Sequence, residues 1–381
     1  MENSFIGIDL SFVRPDHKNG GTETFIKNLM HGFERIGVSN QIRYFIHEDV
    51  YEEYKREYKK SKFIVYKIKG NHKFRMLYFQ TFCLSRLVNK YQIKLVYEPS
   101  YASGLRIKTK YKVASNPEDL QHKFYPQYFG KLQRLYINTM VWLTFKKSNK
   151  VIAISKYAEG TFHQFYPDML NGKTETLYLP VRFYEGNSTK IDGIEGKYIL
   201  SVNAIRKNKN LITLVKAYER ICERIEEKLV LVGVKLDETD ALSMYIKEHK
   251  LNNKVTFTGY VSDSQLKWLY ENASVFVTAS LYEGFGMTPV EAMGYGCPVI
   301  SSKDTSLYEV TKGVAEYYEP TMDDEVLSKT IMDVVSGKRR IDMKKNKILM
   351  RETYDIETIS RKYFECFNGI ISCENEINVF D

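Results

Sequence analysis

Apolar positions along this chain come in short clusters separated by amphipathic stretches. Phe5–Leu10, Ile42–His47, Phe63–Tyr66, Leu95–Tyr97, Tyr111–Ala114, Val151–Ile154 and Thr176–Leu179 are rich in β-branched and aromatic residues and have the length of strands. Between them, stretches such as Thr22–Ile36 and Tyr78–Tyr91 place apolar residues at helical spacing. From Arg182 to Lys197 the pattern lapses into Glu, Gly, Asn, Ser, Thr, Lys and Asp, the composition of a linker. It then restarts with Tyr198–Val202, Leu229–Val232, Val255–Thr258, Val275–Val277, Val299–Ser301 and Glu316–Tyr318. Repeated strand–helix units predict an α/β chain whose parallel sheets are covered on both faces. Two such blocks in series predict two Rossmann-like domains, 1–181 and 198–355, joined by a linker at 182–197. Ligands of such sheets bind outside the carboxyl ends of the strands, so a substrate cleft between the domains is expected.

Length and charge refine this picture. With 381 residues the chain suits two domains that each bury a core. The longest apolar stretch, near Ile137–Phe145, falls well short of the roughly 18 residues that cross a bilayer. The start, Met1-Glu2-Asn3-Ser4, has no basic region or cleavage site and reads as no signal peptide. Cysteines 83, 222, 297, 366 and 373 are odd in number and scattered, which suits neither a disulfide framework nor a zinc site. A cytoplasmic location is expected. The net charge of +9 is uneven, because residues 1–180 carry 29 Lys and Arg against 16 Asp and Glu. Nine cationic side chains between Lys55 and Arg75 face one acid, Glu57. Such a patch suits an anionic membrane face, nucleic acid or a phosphorylated acceptor, and equally a face kept soluble by lysines.

The most informative segment runs from Ser280 to Gly294 after the strand Val275–Val277. It carries Glu283-Gly284-Phe285-Gly286-Met287-Thr288-Pro289-Val290-Glu291 through a turn into a helix. Thr288 has the character of an N-cap, Pro289 suits the first helical position, and Glu291 would complete a capping box. A helix start preceded by two glycines is also an anion site, and a carboxylate there can accept the paired hydroxyls of a ribose. A second junction, Asn203-Ala204-Ile205-Arg206-Lys207-Asn208-Lys209, places three cations between a strand and a helix, which suits a phosphate clamp or a solvated loop.

The glutamate pair, its Tyr-Glu-Gly-Phe-Gly setting and the following Glu-Ala-Met-Gly-Tyr-Gly-Cys-Pro-Val-Ile resemble the signature of glycosyltransferase family 4, retaining enzymes of GT-B fold. The resemblance reaches from Gly20-Gly21 to the Glu309 region and the closing helix, residues 356–381, which is expected to return towards the first domain. It implies that Glu291 binds the donor ribose and that Glu283 lies beside the transferred sugar. Phe285, Gly286, Met287 and Thr288 would hold the diphosphate, and Lys209 with Arg206 would stabilise its departure. The family's arginine usually stands where this chain has Asn203. Gly20 and Gly21 resemble the glycine loop near the diphosphate and acceptor, and Gly259, Tyr260 and Val261 the segment cradling the base. Asp263 reads as the N-cap of the next helix. After Tyr111–Ala114 the family often has His-Asp-Leu-Gln-His. Here Glu118 stands in the place of that first histidine, followed by Asp119, Leu120, Gln121 and His122. An ionised carboxylate accepts hydrogen bonds but donates none, so the change bears on which sugar is carried, unless Glu118 merely faces solvent. His122 reads as structural.

The implied reaction is transfer of a hexose from a nucleoside diphosphate sugar to a saccharide acceptor with retention, in bacterial surface polysaccharide synthesis. The catalytic residues would be Glu283, Lys209 and Arg206. GDP-mannose is the expected donor and a 6-deoxyhexose donor the alternative. A polyprenyl-diphosphate-linked acceptor and a peripheral position on the inner membrane face would suit the basic first domain, with no nucleic acid. No cofactor or metal is implied, and Asp323-Asp324 reads as helix-start charge. The competing readings are a non-catalytic sugar-nucleotide-binding subunit, a GT-B-fold epimerase or a phosphorylase. A nicotinamide dehydrogenase would want Gly-x-Gly-x-x-Gly directly after the first strand, which is missing.

Overall fold

A computed structural model describes residues 5–16, 20–101, 105, 109–203, 206–233 and 240–373. The chain forms two units, Met1–Pro180 with Tyr354–Asp381, and Val181–Thr353. In the first, β1 (Phe5–Asp9), β2 (Ile42–His47), β3 (Phe63–Tyr66), β4 (Ile93–Glu98), β5 (Lys112–Ser115), β6 (Lys150–Ala153) and β7 (Thr174–Thr176) make one sheet. Its order is β3-β2-β1-β4-β5-β6-β7, and every neighbouring pair is parallel. The second contains β8 (Tyr198–Val202), β9 (Lys228–Val232), β10 (Val255–Gly259), β11 (Val275–Thr278), β12 (Val299–Ser302) and β13 (Glu316–Tyr318), in the order β10-β9-β8-β11-β12-β13. These pairs are parallel as well.

The two Rossmann-like sheets expected from the alternating pattern are therefore present. Central strands such as β11 and β12 are buried along their whole length, as parallel strands covered on both faces must be. In each unit the order of strands reverses once, between β1 and β4 and between β8 and β11. The carboxyl ends flanking those reversals are where a doubly wound sheet opens a crevice for a ligand.

The closing helix, Ile356–Ser372, returns to the first unit and packs on the helix Gly21–Arg35. Gly32 permits this approach, because a Cβ there would lie 1.9 Å from Ser360 Oγ. Phe25 and Phe33 meet Tyr363 and Phe367 at ring distances of 5.7 and 6.4 Å, and the Tyr363 hydroxyl donates to Leu177 O at 3.2 Å.

Three local expectations change. The last strand of the first sheet is Thr174–Thr176 and not Thr176–Leu179; Leu177 N adds one more bond to β6, donating to Ala153 O at 2.9 Å, and Leu177 and Leu179 are buried beyond the strand's end. The stretch Tyr78–Tyr91 belongs to a longer helical run from His72 to Lys90 with a π-helical turn at Phe79–Cys83. Residues 182–197 form no helix or strand but lie against the second unit: Tyr184 N donates to the Tyr295 hydroxyl at 2.7 Å, Lys267 Nζ to Gly186 O at 2.8 Å, and Thr189 N to Ser264 O at 3.0 Å.

Candidate active site

At the end of β11 the chain bends through Ala279–Phe285 and enters the helix Met287–Tyr295. Gly286 makes the turn at φ 94°, in the left-handed region, and a Cβ there would lie 2.6 Å from Leu307 Cδ2. Glycine is thus required on two independent grounds. Because Gly286 turns so sharply, the helix starts at Met287, earlier than expected. Thr288 is not its N-cap, Pro289 is the third residue and not the first, and no side chain caps this end. The capping box expected of Glu291 does not form. The first-turn amides of a helix lack acceptors within it, and Pro289 has none to offer, so Met287 and Thr288 present the N–H groups at the positive end.

Released from capping, Glu291 turns to the neighbouring helix Asp263–Asn272 and accepts the Tyr270 hydroxyl on Oε2 at 3.0 Å. Its Oε1 has no hydrogen-bond partner among the described residues. Burial pushes the Glu291 carboxyl up to about 7; the Tyr270 hydrogen bond opposes this and the Asp263 charge adds to it. Tyr270 is held by stacking on Tyr295 at 5.6 Å. Asp263 is the first residue of its helix and not the cap, since Ser262 and Gln265 form a complete capping box.

From the neighbouring strand β8, the turn Lys207–Lys209 leads into the helix Leu211–Glu219 through Asn210, which takes a left-handed conformation at φ 51°. Asn208 ties this turn to the β11 segment twice, donating to Tyr282 O at 3.0 Å and accepting from Leu281 N at 2.8 Å. The result is a close ion pair: Lys209 Nζ lies 2.6 Å from Glu283 Oε1, with the side chains 19% and 14% exposed. The pair gives Glu283 a structural partner within its own unit. Its backbone is fixed as well, with Glu283 N donating to Thr305 Oγ1 at 3.2 Å and the Ser306 hydroxyl bridging Glu283 O and Phe285 O at 2.9 Å each. A lysine carries three donors, so Lys209 can hold Glu283 and still meet an anion.

The remaining expected residues of this unit are less close. Arg206 is exposed and forms no side-chain bond among the described residues, and its neighbours Ala204 and Ile205 lie outside them. Asn203 is buried, donates to Ser201 Oγ at 2.6 Å, and its Oδ1 has no partner among the described residues. Gly259 ends β10, two strands away from β8, and its carbonyl accepts Gly233 N at 2.7 Å. Tyr260 beside it is 81% exposed and Val261 is partly buried.

In the first unit, Gly20 precedes the helix Gly21–Arg35 at φ 63° with no side-chain cap. The Thr22 hydroxyl in its first turn donates to Glu118 Oε1 after β5. Glu118 is therefore not a solvent-facing replacement; it is joined to the glycine turn. Asp119 Oδ1 accepts Gln121 N at 2.9 Å. His122 is buried and bonded to Asn138 Oδ1 at 3.0 Å, its pKa lowered by burial, in keeping with a structural role. The sequence reading passed over the ends of β1 and β4. Asp9 is buried there and accepts from Gln80 Nε2 and Ser11 N, both at 2.8 Å, while Glu98 pairs with Lys147 at 2.6 Å. Burial pushes Asp9 up to about 6, against the Gln80 and Ser11 bonds. Their signal was an acid closing an otherwise apolar strand. Among the described residues, His47, Glu48 and Asp49 have atoms close enough to share a metal ion, within 4.8 Å. Arg75 lies 2.5 Å from Asp49 and occupies that carboxylate with a fixed positive charge.

Residues 189–350 match the family model described as glycosyl transferases group 1, which falls on the second unit. Mannosylfructose-phosphate synthase of Agrobacterium fabrum is 33% identical over 149 residues, 37% of this chain and 33% of that protein. The O-antigen chain mannosyltransferase RfbU of Salmonella typhimurium is 29% identical over 211 residues, 54% of this chain and 56% of that protein. The chain thus spans from a third to just over half of the length of these relatives. Among solved structures, sucrose-phosphate synthase from Thermosynechococcus elongatus superposes with a TM-score of 0.77 at 17% identity, covering 97% of this chain and 100% of that one. HepE from Anabaena in complex with UDP and glucose gives 0.73 at 17% identity, covering 96% and 99%. The two parallel-sheet units have the GT-B fold.

Proposed function

We propose, from the premise that this chain belongs to the glycosyl transferases group 1 family, that it moves a hexose from a nucleoside diphosphate sugar to a saccharide hydroxyl with retention at the anomeric carbon. The observation that carries this reading is the Lys209–Glu283 pair, 2.6 Å apart, beside an uncapped helix start at the strand reversal of the second sheet. The costly event in such a transfer is departure of the diphosphate. The bond from the anomeric carbon to phosphate oxygen breaks with its electron pair on the phosphate, and the acceptor oxygen forms the new bond on the same face. The acceptor proton passes to the departing phosphate, so no separate protein base is needed. Lys209 and the Met287 and Thr288 amides neutralise the charge that develops, and their fixed positions spare reorganisation. Arg206 adds a forked cation from the exposed side of the turn. Glu291 receives the ribose hydroxyls on Oε1, and Glu283 lies beside the transferred sugar.

Mannose from GDP-mannose is the proposed cargo. Similarity to O-antigen chain mannosyltransferases supports it, RfbU at 29% identity and O-antigen chain mannosyltransferase B of Escherichia coli at 34%. Glu118 favours a second reading, a 6-deoxyhexose donor. The acceptor is proposed to be a lipid-linked saccharide of surface polysaccharide synthesis, in keeping with exposed Lys59, Lys60, Lys62 and Lys67 on the first unit. Among the described residues no helix is long and apolar enough to cross a membrane.

Incubation with a panel of sugar nucleotides, with and without acceptor, tests this reading. Acceptor-dependent nucleoside diphosphate release and a product of unchanged anomeric configuration by NMR are expected. Tight donor binding without turnover would replace it with the non-catalytic subunit.

A further inference from the structure

The helix Lys131–Lys147 is apolar on both sides. Inward, it buries Ile137, Met140, Val141 and Phe145 in the first unit. Outward, Leu132 is 83% exposed, Leu135 64%, and Tyr136 and Trp142 39% each. Positions 132, 135, 136, 139, 142 and 146 recur at helical spacing, so these side chains form one continuous stripe. A water-facing helix normally gives that stripe to charged residues. Here it carries two leucines and two aromatic rings, interrupted by Thr139, whose hydroxyl is turned to Leu135 O at 2.9 Å, and closed by Lys146. An exposed apolar cluster of that kind marks a surface made to be covered.

Charge indicates what covers it. From residue 120 to residue 158 the chain has seven Lys and Arg and no Asp or Glu. Lys131 opens the helix on the exposed side, and Lys146 near its end places its ammonium 4.7 Å from the Trp142 ring centre. Lys147 turns inward to Glu98 and takes no part. Leucines in the first turns, amphipathic aromatic rings after them and lysines at the two ends form an arrangement that lies in the plane of a bilayer interface. The leucines enter the acyl boundary, the Tyr and Trp rings sit at headgroup level, and the lysine stems reach out to phosphates. With no acidic side chain in the segment, nothing on it opposes an anionic headgroup layer.

We propose that the exposed face of the helix Lys131–Lys147 inserts into the surface of an anionic bilayer and anchors the first unit there. This deepens the lipid-linked part of the proposed function by naming the element that enters the membrane. The lysine patch at residues 55–75 contributes long-range attraction, whereas this face contributes apolar burial.

The test uses the full chain and vesicles of phosphatidylglycerol in phosphatidylcholine, without donor sugar. The chain has two tryptophans, so Trp268→Phe leaves Trp142 as the sole reporter. Its emission is expected to shift to the blue with anionic vesicles and to become protected from an aqueous quencher. Leu132→Gln/Leu135→Gln is expected to weaken vesicle binding by about tenfold or more with an unchanged unfolding midpoint, since both side chains already face water. Reversing Lys59, Lys60, Lys62 and Lys67 should weaken binding at low salt. At about 1 M salt, where the screening length falls to about 3 Å, the leucine-dependent part remains. An unshifted Trp142, or a leucine variant that binds like the unaltered chain, overturns the proposal. So does a lipid-free dimer that the leucine substitutions convert to monomer, because a second copy then covers the face. Nucleoside diphosphate release with a soluble acceptor is measured in parallel. Its absence alongside a shifted Trp142 counts against sugar transfer and leaves the membrane anchor standing.

Discussion

At the carboxyl ends of β8 and β11, Lys209 and Glu283 meet at 2.6 Å; Asn208 joins the two turns through Tyr282 O, and Thr305 and Ser306 hold the main chain of Glu283 from the other side. In the first unit the contact lies after β1 and β5, two strands apart in the sheet, and runs from Thr22 to Glu118, side chain to side chain, across 96 residues of sequence. Both places use a glycine turn, Gly286 or Gly20, followed by a helix without a side-chain cap. They differ in what fixes the chemistry. A side chain bonded to main-chain atoms ties the backbone of its neighbour directly, whereas a contact between two side chains leaves both backbones free of it and can be exchanged at smaller cost to the fold. A site finished in the first manner suits the invariant part of a donor, its diphosphate and ribose. A site finished in the second suits the part that differs between donors, the sugar. The family match over residues 189–350 falls on the first kind.

The largest expected effect lies at the ion pair. Glu283→Gln and Lys209→Met should each lower turnover by about 10²–10³, the loss typical of removing one preorganised stabilising group. Lys209→Met also leaves the Glu283 carboxylate partly buried without its cation, which should lower stability by about 1–3 kcal/mol. A double mutant no worse than either single mutant would show that the two act as one unit. Full activity in Glu283→Gln would break the distinction between the two sites, because the best-fixed residue would then be dispensable.

This contrast also explains what could be read from sequence. The strands of both sheets stood out because buried parallel strands are short β-branched runs; β2, β3, β8 and β13 have the expected limits. The glycine turn and its glutamates were legible because the motif is contiguous. Its local geometry was not: Thr288-Pro289-Val290-Glu291 has the spacing of a capping box, yet the left-handed Gly286 lets the helix begin before Thr288. Partners distant in sequence were invisible for a different reason. Tyr270 lies 21 residues from Glu291, Lys209 lies 74 from Glu283 and Thr22 lies 96 from Glu118, and no local periodicity reports such pairs. Asp9 and Glu98 were passed over because each completes a strand whose apolar pattern had already been accounted for.

A smaller effect should appear at Glu291, and its direction with pH can be worked out. Its carboxyl titrates near 7 in the fold, above the ordinary value of 4.5. Between those values the folded chain holds a proton that the unfolded chain has released, so this group's contribution to stability falls as pH rises and levels off above about 7. Ribose hydroxyls donate best to the ionised form. Affinity for an intact sugar nucleotide, which does not itself titrate in this range, should therefore rise by about tenfold from pH 6 to pH 8. Calorimetry should show protons released on binding near pH 7, and Glu291→Gln should bind more weakly with a flat profile. An unchanged profile in Glu291→Gln would move the ribose away from this residue.

The smallest change in stability and the sharpest test of the comparison comes from Glu118→His in the first unit. Glu118 is partly buried and accepts the Thr22 hydroxyl, and losing that hydrogen bond to a histidine costs about 1 kcal/mol. The imidazole, unlike the carboxylate, can offer a donor to a sugar hydroxyl. If the first unit reads the variable part of the donor, the substitution should leave affinity for the bare nucleoside diphosphate unchanged. It should also raise the preference for GDP-mannose over its 6-deoxy counterpart by about tenfold, the scale of one pocket contact. Competition between the two donors in one reaction measures this ratio directly. A shift in nucleotide affinity with no shift in the ratio would mean that Glu118 serves the diphosphate, and the division of labour between the two sheet ends would have to be redrawn.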